Sequence, residues 1–413
     1  MNQPSPPGPS PLRAVLSHGS FTRFLIVRFA ASFAVQIQTV AVGVQVYELT
    51  HRPLDLGLIG LSQFLPFLLV VLFAGQAADR WNRKWIVFGC LVLNLACSVA
   101  LAALTMRGLT TPAPVFAVMV VFGVARAAMA PASQALMPNL VPSTLFSNAV
   151  GINSSMWQVA TIAGPALGGL VYARFGAGTA YWVVVMLFVC ALIAIVGVRA
   201  PPQAPAKEPA SWHTIAEGLR FVWRRHIVLG AISLDLFAVL FGGATALLPA
   251  YATDVLHVGA EGLGWLRAAP GVGAALMAAV LTVKPINRRI GHAMFGGVAV
   301  FGLATVVFGL SSWFWLSLPV LAILGAADMV SVFVRQMLVQ FETPDAMRGR
   351  VGAVSSMFIG ASNEFGEFES GLTAAWFGLV PSVVIGGMAT LLVAGLWARW
   401  FPELRRMERF PTP

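Results

Sequence analysis

Twelve long apolar runs, joined by short polar connections, constrain this 413-residue chain more than any other feature. With soft ends they cover 22–46, 56–78, 85–106, 114–136, 148–172, 179–199, 227–251, 262–283, 292–312, 314–337, 351–376 and 380–400. Each is close to the roughly 20 residues that an α-helix needs to cross a hydrocarbon core of about 30 Å. Inside lipid an unpaired backbone group has no water to bond, so spanning segments are helices or closed barrels. Period-two alternation of the barrel kind is missing from the runs, and they are predicted to be helices. Composition points the same way. With 58% hydrophobic and 10% charged residues, against about one-quarter charged in soluble domains, the chain lacks the polar surface to cover a globule in water.

The net charge of +10 raises nucleic acid as a partner, but the positions of the charges exclude it. With the N-terminus placed inside, nineteen of the 26 Lys and Arg fall on cytoplasmic segments. Three fall outside (Arg52, Arg107 and Arg174) and four within runs (Arg28, Arg126, Arg267 and Arg335). This asymmetry is the positive-inside rule, and it predicts both termini in the cytoplasm. The basic charge orients the chain in a bilayer.

The longest polar interruption, 199–226, divides the runs into two sets of six. The expected organisation is a disordered cytoplasmic tail (1–21), a six-helix bundle (22–200), a cytoplasmic linker (201–226), a second six-helix bundle (227–400) and a cytoplasmic tail (401–413). The linker opens Pro/Ala-rich and closes with Trp212, Ile215, Leu219 and Val222 at helical spacing, which predicts an amphipathic surface helix. Thr214 and Glu217 have capping-box spacing. The two sets echo each other. VGINSSMW (150–157) matches VGAVSSMF (351–358), and Asn82-Arg83-Lys84 matches Asn287-Arg288-Arg289. Two matches at nearly one offset predict a duplicated unit, a feature of secondary transporters. Cys90, Cys97 and Cys190 all sit in apolar runs and read as small buried thiols.

Charges inside the runs are unevenly placed. Arg28 is on run 1, Arg126 on 4, Asp235 on 7, Arg267 on 8, Asp328 and Arg335 on 10, and Glu364, Glu367 and Glu369 on 11. Runs 3, 6, 9 and 12 carry none. Intramembrane charges face a protein interior or a watery cavity, so these four are expected to face lipid while the others surround a cavity. Glu364 and Glu367 are three apart and share a helix face, whereas Glu369 points elsewhere. The polar neutral residues Gln36, Gln38, Asn153, Gln158 and Asn363 are candidates to line the cavity.

The first hairpin, GQAADRWNRK (75–84), resembles the signature loop of the major facilitator superfamily. Gly75, Ala78, Asp79, Arg80, Arg83 and Lys84 match that pattern, while Ala77 stands for the usual Leu and Asn82 for the usual Gly. In run 5, Ala160, Gly164, Pro165, Gly168 and Gly169 resemble the family's antiporter motif, with Ala160 in place of the first Gly. Ala160, Gly164 and Gly168 also form a small-residue stripe for close helix approach, and Pro165 permits a bend. Arg126 lies where family exporters place an Arg linked to proton transfer, although Ala130 stands where that motif has Gly. The opening FLIVRFAASFAVQIQTVAVGVQVYELT and the late TPDAMRGRV are similar to the exporter branch that includes enterobactin-type siderophore exporters.

The resemblance implies an all-α integral membrane fold of twelve helices in two pseudo-symmetric bundles. It implies a conformational latch at Gly75, Asp79, Arg80, Arg83 and Lys84, and proton-coupled export of a small amphipathic compound from a bacterial inner membrane, with a facilitator or importer of the same fold as the alternative. Expected partners are the bilayer, a small-molecule substrate and protons, with the chain a monomer and without a cofactor, metal or nucleic acid. An enzyme would need a nucleophile with its base, or metal ligands, at membrane depth, and the six histidines all lie in tails, loops or run ends. For Glu364, Glu367 and Asp328 two readings stay open: proton coupling, or a structural ion-pair network with Arg126, Arg267 or Arg335.

Overall fold

The computed structural model describes residues 15–199, 212–344 and 347–410, with the side chains of 71–80, 143, 212–215, 348, 349, 353 and 356 outside the description. Among the described residues the regular structure is helical: α1 (Gly19–Thr50), α2 (Pro53–Arg80), α3 (Arg83–Met106), α4 (Ala113–Leu136), α5 (Phe146–Val196), α6 (Trp212–Arg224), α7 (His226–Phe241), α8 (Gly259–Val283), α9 (Ile290–Leu310), α10 (Phe314–Glu342), α11 (Arg348–Phe377) and α12 (Leu379–Trp400). Ten segments of the described chain are long and apolar enough to span a bilayer. Two of the expected twelve do not register separately. The fifth and sixth runs form the 51-residue α5, which turns at Gly176, where φ is +80° and ψ 172°. The eleventh, α11, is not among the ten, having five charged residues in its 30.

The seventh run also departs from a simple rod. α7 stops at Phe241, followed by a 3₁₀ turn (Ala244–Leu247), a single turn (Leu248–Ala250) and a π-helical turn (Tyr251–Val255). Gly242 and Gly243 are poor helix residues, and Pro249 at the start of the next turn cannot donate back to the preceding one. The signal stood in the sequence as LFGGATALLP, inside a run read as unbroken. Gly243 packs on the backbone of α11 at Gly366, so the break lies beside the glutamate cluster.

The helices segregate. α1 packs on α5, α2 on α4, and α3 on both α4 and α5; α8 packs on α10, α9 on α10 and α12, and α7 on α10, α11 and α12. Between the two sets the extensive contacts are α5 with α8 and α2 with α11. Trp182, Met186 and Ile193 on the second arm of α5 are exposed, as are Val300, Leu303 and Val307 on α9, and Ile385, Met388 and Leu392 on α12. Their three-, four- and seven-residue spacings mark one apolar face per helix, and with Trp85 and Val92 of α3 they lie on the four uncharged runs. Cys190 sits on such a helix and is exposed, unlike the buried Cys90 and Cys97. An outward-facing thiol is acceptable there because the surroundings are apolar.

α6 lies against α11 and α7. It starts at Trp212, upstream of Thr214, so Thr214 is in the first turn, and Glu217 pairs with Arg350 of α11.

Candidate functional site

The signature loop anchors its own half. Asn82 caps α3, its side chain accepting from the Lys84 backbone N–H at 3.0 Å, a job the usual Gly could not do through a side chain. Arg83 donates to the carbonyl of Ala135 at 2.9 Å, and Lys84 to that of Val196 at 2.9 Å. Both carbonyls lie at helix C-termini, where cations are favoured. Helix α2 runs through Gly75, Asp79 and Arg80, whose side chains fall outside the described residues.

The antiporter-motif glycines split between two neighbours. Gly164 and Gly168 face α1, where an added Cβ would lie 2.6 Å from Cβ of Gln36 and 3.0 Å from Cα of Ile37. Gly169 faces the other half: its Cβ would come within 2.3 Å of the Ala260 carbonyl and 2.8 Å of Gly264 Cα on α8. Ala160 and Pro165 are buried in the same helix. Further along this seam, Gln158 donates to the carbonyl of Gly271 at 3.1 Å.

The second seam joins α2 to α11 and carries the charges. On it, Phe64 and Phe365 meet edge to face with centroids 4.8 Å apart. Arg126 of α4 donates to Gln63 Oε1 at 3.0 Å and to Glu364 Oε1 at 3.4 Å, pairing one half of the molecule with the other. Gln63, Phe67, Arg126, Gly360 and Glu364 line a cavity of about 60 Å³, room enough for water. Glu367, one turn further on, is held against Gly60, where any Cβ would stand 2.7 Å from its carboxylate. It lies within electrostatic reach of Glu364, Arg267 and Arg126. The Arg267 guanidinium approaches Gly43 of α1, and its Nε is buried without a hydrogen-bond partner. Two arginines and two glutamates therefore share the seam, drawn from α4, α8 and α11.

Arg335 does not join them. It pairs with Asp235 at 3.4 Å, both side chains nearly fully buried, and Asp328 lies in the field of both. This second cluster is confined to α7 and α10, both of one half. The sequence reading grouped Arg335 with the possible partners of the α11 glutamates. The correction follows from helix packing, since α10 contacts α7 far more than α11. Asp235→Ala, which strands a buried guanidinium, is expected to cost about 3–5 kcal/mol, read as a fall in the melting temperature of the purified protein. Asp235→Ala combined with Arg335→Leu should recover most of that loss.

The remaining candidates scatter. Arg28 donates to Asn153 at 3.4 Å, between α1 and α5. Gln38 is buried, accepts from Ser98 of α3 at 2.7 Å and sits inside one bundle, so it lines no opening between the halves. Asn363 is exposed and bonds the Ile359 carbonyl of its own helix. No ion pair reaches Glu369 among the described residues. Sequence reasoning missed two contacts, Gln63 with Arg126 inside one half and Tyr47 of α1 with Asp254 after α7 across the halves. A Gln in an apolar run was a legible signal for the first.

The seams are closed from mid-helix to one end. Gly57 meets Gly371, Gly169 meets Gly264, and Tyr47 bonds Asp254. Toward the other end, where α1 begins and α12 ends, Ser154, Ser155, Met156 and Trp157 of α5 are all exposed. Four consecutive residues go right round a helix, so α5 has little cover there and the halves part.

Comparison with known proteins agrees with this geometry. A family model described as transmembrane secretion effector matches residues 10–411. The enterobactin exporters of Escherichia coli O139:H28 (strain E24377A) and of Escherichia fergusonii are each 25% identical over 404 residues, covering 97% of this chain and 96% of theirs. Among solved structures, a bacterial homologue of the human lysosomal transporter Spinster, inward-facing and occupied, has a TM-score of 0.75 at 15% identity over 98% of this chain and 100% of its own. The nucleoside transporter NupG has a TM-score of 0.64 at 15% identity over 92% and 99%. These structures share the fold. A chain that the family model matches almost end to end, and that is built as two helix sets meeting at charged and glycine-lined seams, belongs to the transmembrane secretion effector family of major-facilitator-type membrane transporters.

Proposed function

We propose that the protein is a proton-coupled exporter of a small amphipathic compound, of the siderophore or drug kind, working by alternating access across a bacterial inner membrane. It acts as a monomer of twelve crossings in two six-helix bundles, with both termini cytoplasmic. In that orientation the open end faces the cytoplasm and the conformation is loaded from inside. The observation that carries the reading is the Arg126–Glu364 pair, which bridges the halves beside a second carboxylate and a small water-sized cavity. A pair of this kind must break or re-form as the seam opens. Burial favours the neutral form of a carboxyl, and a facing arginine the charged form. Movement of Arg126 and Arg267 relative to Glu364 and Glu367 therefore changes their hold on a proton. The likeness to enterobactin exporters supports the export direction and an aromatic, metal-chelating class of substrate.

The test is transport by the purified protein in proteoliposomes. With an imposed pH gradient, a supplied catecholate siderophore should move uphill in the export direction, and a protonophore should reduce the rate by at least about tenfold. Gradient-independent, purely downhill movement would instead favour a facilitator of the same fold.

A further inference from the structure

A cavity of about 770 Å³ lies away from the charged seam. It is a groove along the outer side of the α5–α8 contact, flanked by α10. Its size falls within the range of about 300–1,000 Å³ typical of ligand sites. The floor is made shallow-walled and wide by small side chains, Ala163 and Ala166 on α5 and Ala268 and Ala269 on α8. Only two charged residues line it, Arg174 and Glu261, with Trp265 beside them. Arg174 lies two residues before the α5 turn at Gly176, and Glu261 is in the first turn of α8. Both therefore stand at the same end of the molecule, the closed end. They are exposed, and no ion pair joins them to each other or to another described residue.

We propose that this groove is a binding site for a zwitterionic phospholipid bearing a phosphate and a primary ammonium, a phosphatidylethanolamine-type lipid. The charges are complementary to that headgroup. The Arg174 guanidinium presents a fork suited to a phosphate, and the Glu261 carboxylate accepts from an ammonium placed next to it. An anionic lipid would satisfy Arg174 and meet repulsion at Glu261. A trimethylated headgroup would have no N–H to donate. Below the charges the groove is apolar for the length of α5 from Arg174 to Ile162, about 18 Å at 1.5 Å per residue. That is about one leaflet of a hydrocarbon core ~30 Å thick, so an acyl chain fits along Leu170, Ala166 and Ala163 toward mid-membrane. Trp265 lies at headgroup level, where its ring is favoured.

The groove straddles the contact of Gly169 with Gly264, so a lipid in it touches both halves. It favours the state in which α5 and α8 are together, because separating them divides its binding surface.

Native mass spectrometry of the detergent-purified protein, titrated with phosphatidylethanolamine, phosphatidylcholine and phosphatidylglycerol, tests the assignment. Wild type should hold one phosphatidylethanolamine at least about tenfold more tightly than either other lipid. Arg174→Ala should weaken that binding by about tenfold, and Glu261→Gln should remove the preference for the ethanolamine over the glycerol headgroup. Both residues are exposed, so folding is not at stake; Ala166→Phe, which fills the groove, should also displace the lipid. Equal binding of the three lipids by wild type, or unchanged lipid binding in Arg174→Ala and Ala166→Phe, would overturn the proposal. Dimers of the chain that dissociate in Ala166→Phe, or displacement of the bound molecule by a transported compound, would equally assign the groove to another occupant.

Discussion

Glu364→Gln and Glu367→Gln, introduced together, are expected to abolish uphill export while leaving gradient-independent exchange of substrate intact. A unit-charge pair at about 4 Å and an effective dielectric near 20 interacts by about 4 kcal/mol. Arg126 is 42% exposed, and solvent screening reduces that figure to about a third to a half of it. What is left still corresponds to a change of about tenfold or more in the balance between conformations. The measurement is paired: pH-driven accumulation in proteoliposomes, and counterflow of labelled substrate with no gradient. If the carboxyls carry protons, the first falls by at least about tenfold and the second does not. A charge-swapped variant, Arg126→Glu with Glu364→Arg, separates this from a structural role. It restores an ion pair across the seam but moves the titratable group to α4, so it should restore thermal stability and not uphill transport. Full pH-driven export in the double Gln variant would falsify proton coupling at this site.

Gly169→Val is expected to hold the transporter open at the end that is closed here. A Cβ alone at Gly169 would meet the Ala260 carbonyl at 2.3 Å and Gly264 Cα at 2.8 Å. Backbone atoms of a packed helix cannot yield to it as a side-chain tip would. Overpacking of this kind costs about 1–3 kcal/mol, and here the cost falls only on the closed seam. The equilibrium therefore shifts roughly 5- to 150-fold toward the state with α5 and α8 apart. Spin labels at Phe175 and His257, both exposed and on opposite sides of the seam, should show a longer distance distribution, with export reduced in parallel. Gly178→Val, with nothing within 4 Å of its added Cβ, is the control and should leave both unchanged. An unaltered distance in Gly169→Val would mean that this contact does not gate the seam.

The motif residues divide by how local their work is. Asn82, Arg83 and Lys84 act on atoms of the adjoining helix ends, and the loop was identified by the resemblance of Gly75 to Lys84, Asp79 and Arg80 above all, to the family signature. Gly164 and Gly168 were legible as part of a small-residue stripe with Ala160, and Gly169 as part of the antiporter motif, since only small residues permit backbones so close. That Gly164 and Gly168 serve α1 and Gly169 serves α8 was not legible, because neighbouring helix faces look alike in a sequence. Gln38 was misleading for a related reason. A polar residue in an apolar run has the same sequence signature whether it faces a cavity or a buried serine.

By itself the sequence determined the solvent, the secondary structure and the family. Lipid accepts only saturated backbones, so long apolar runs must be helices, and the basic loops and glycine motifs are local enough to read directly. The tertiary structure decided which arginine meets which carboxylate. Arg126 and Glu364 are 238 positions apart, and Arg335 goes to Asp235 instead of α11. Such pairings depend on the depth and rotation of each helix against its neighbours, quantities set by packing across seams and not by any spacing along the chain.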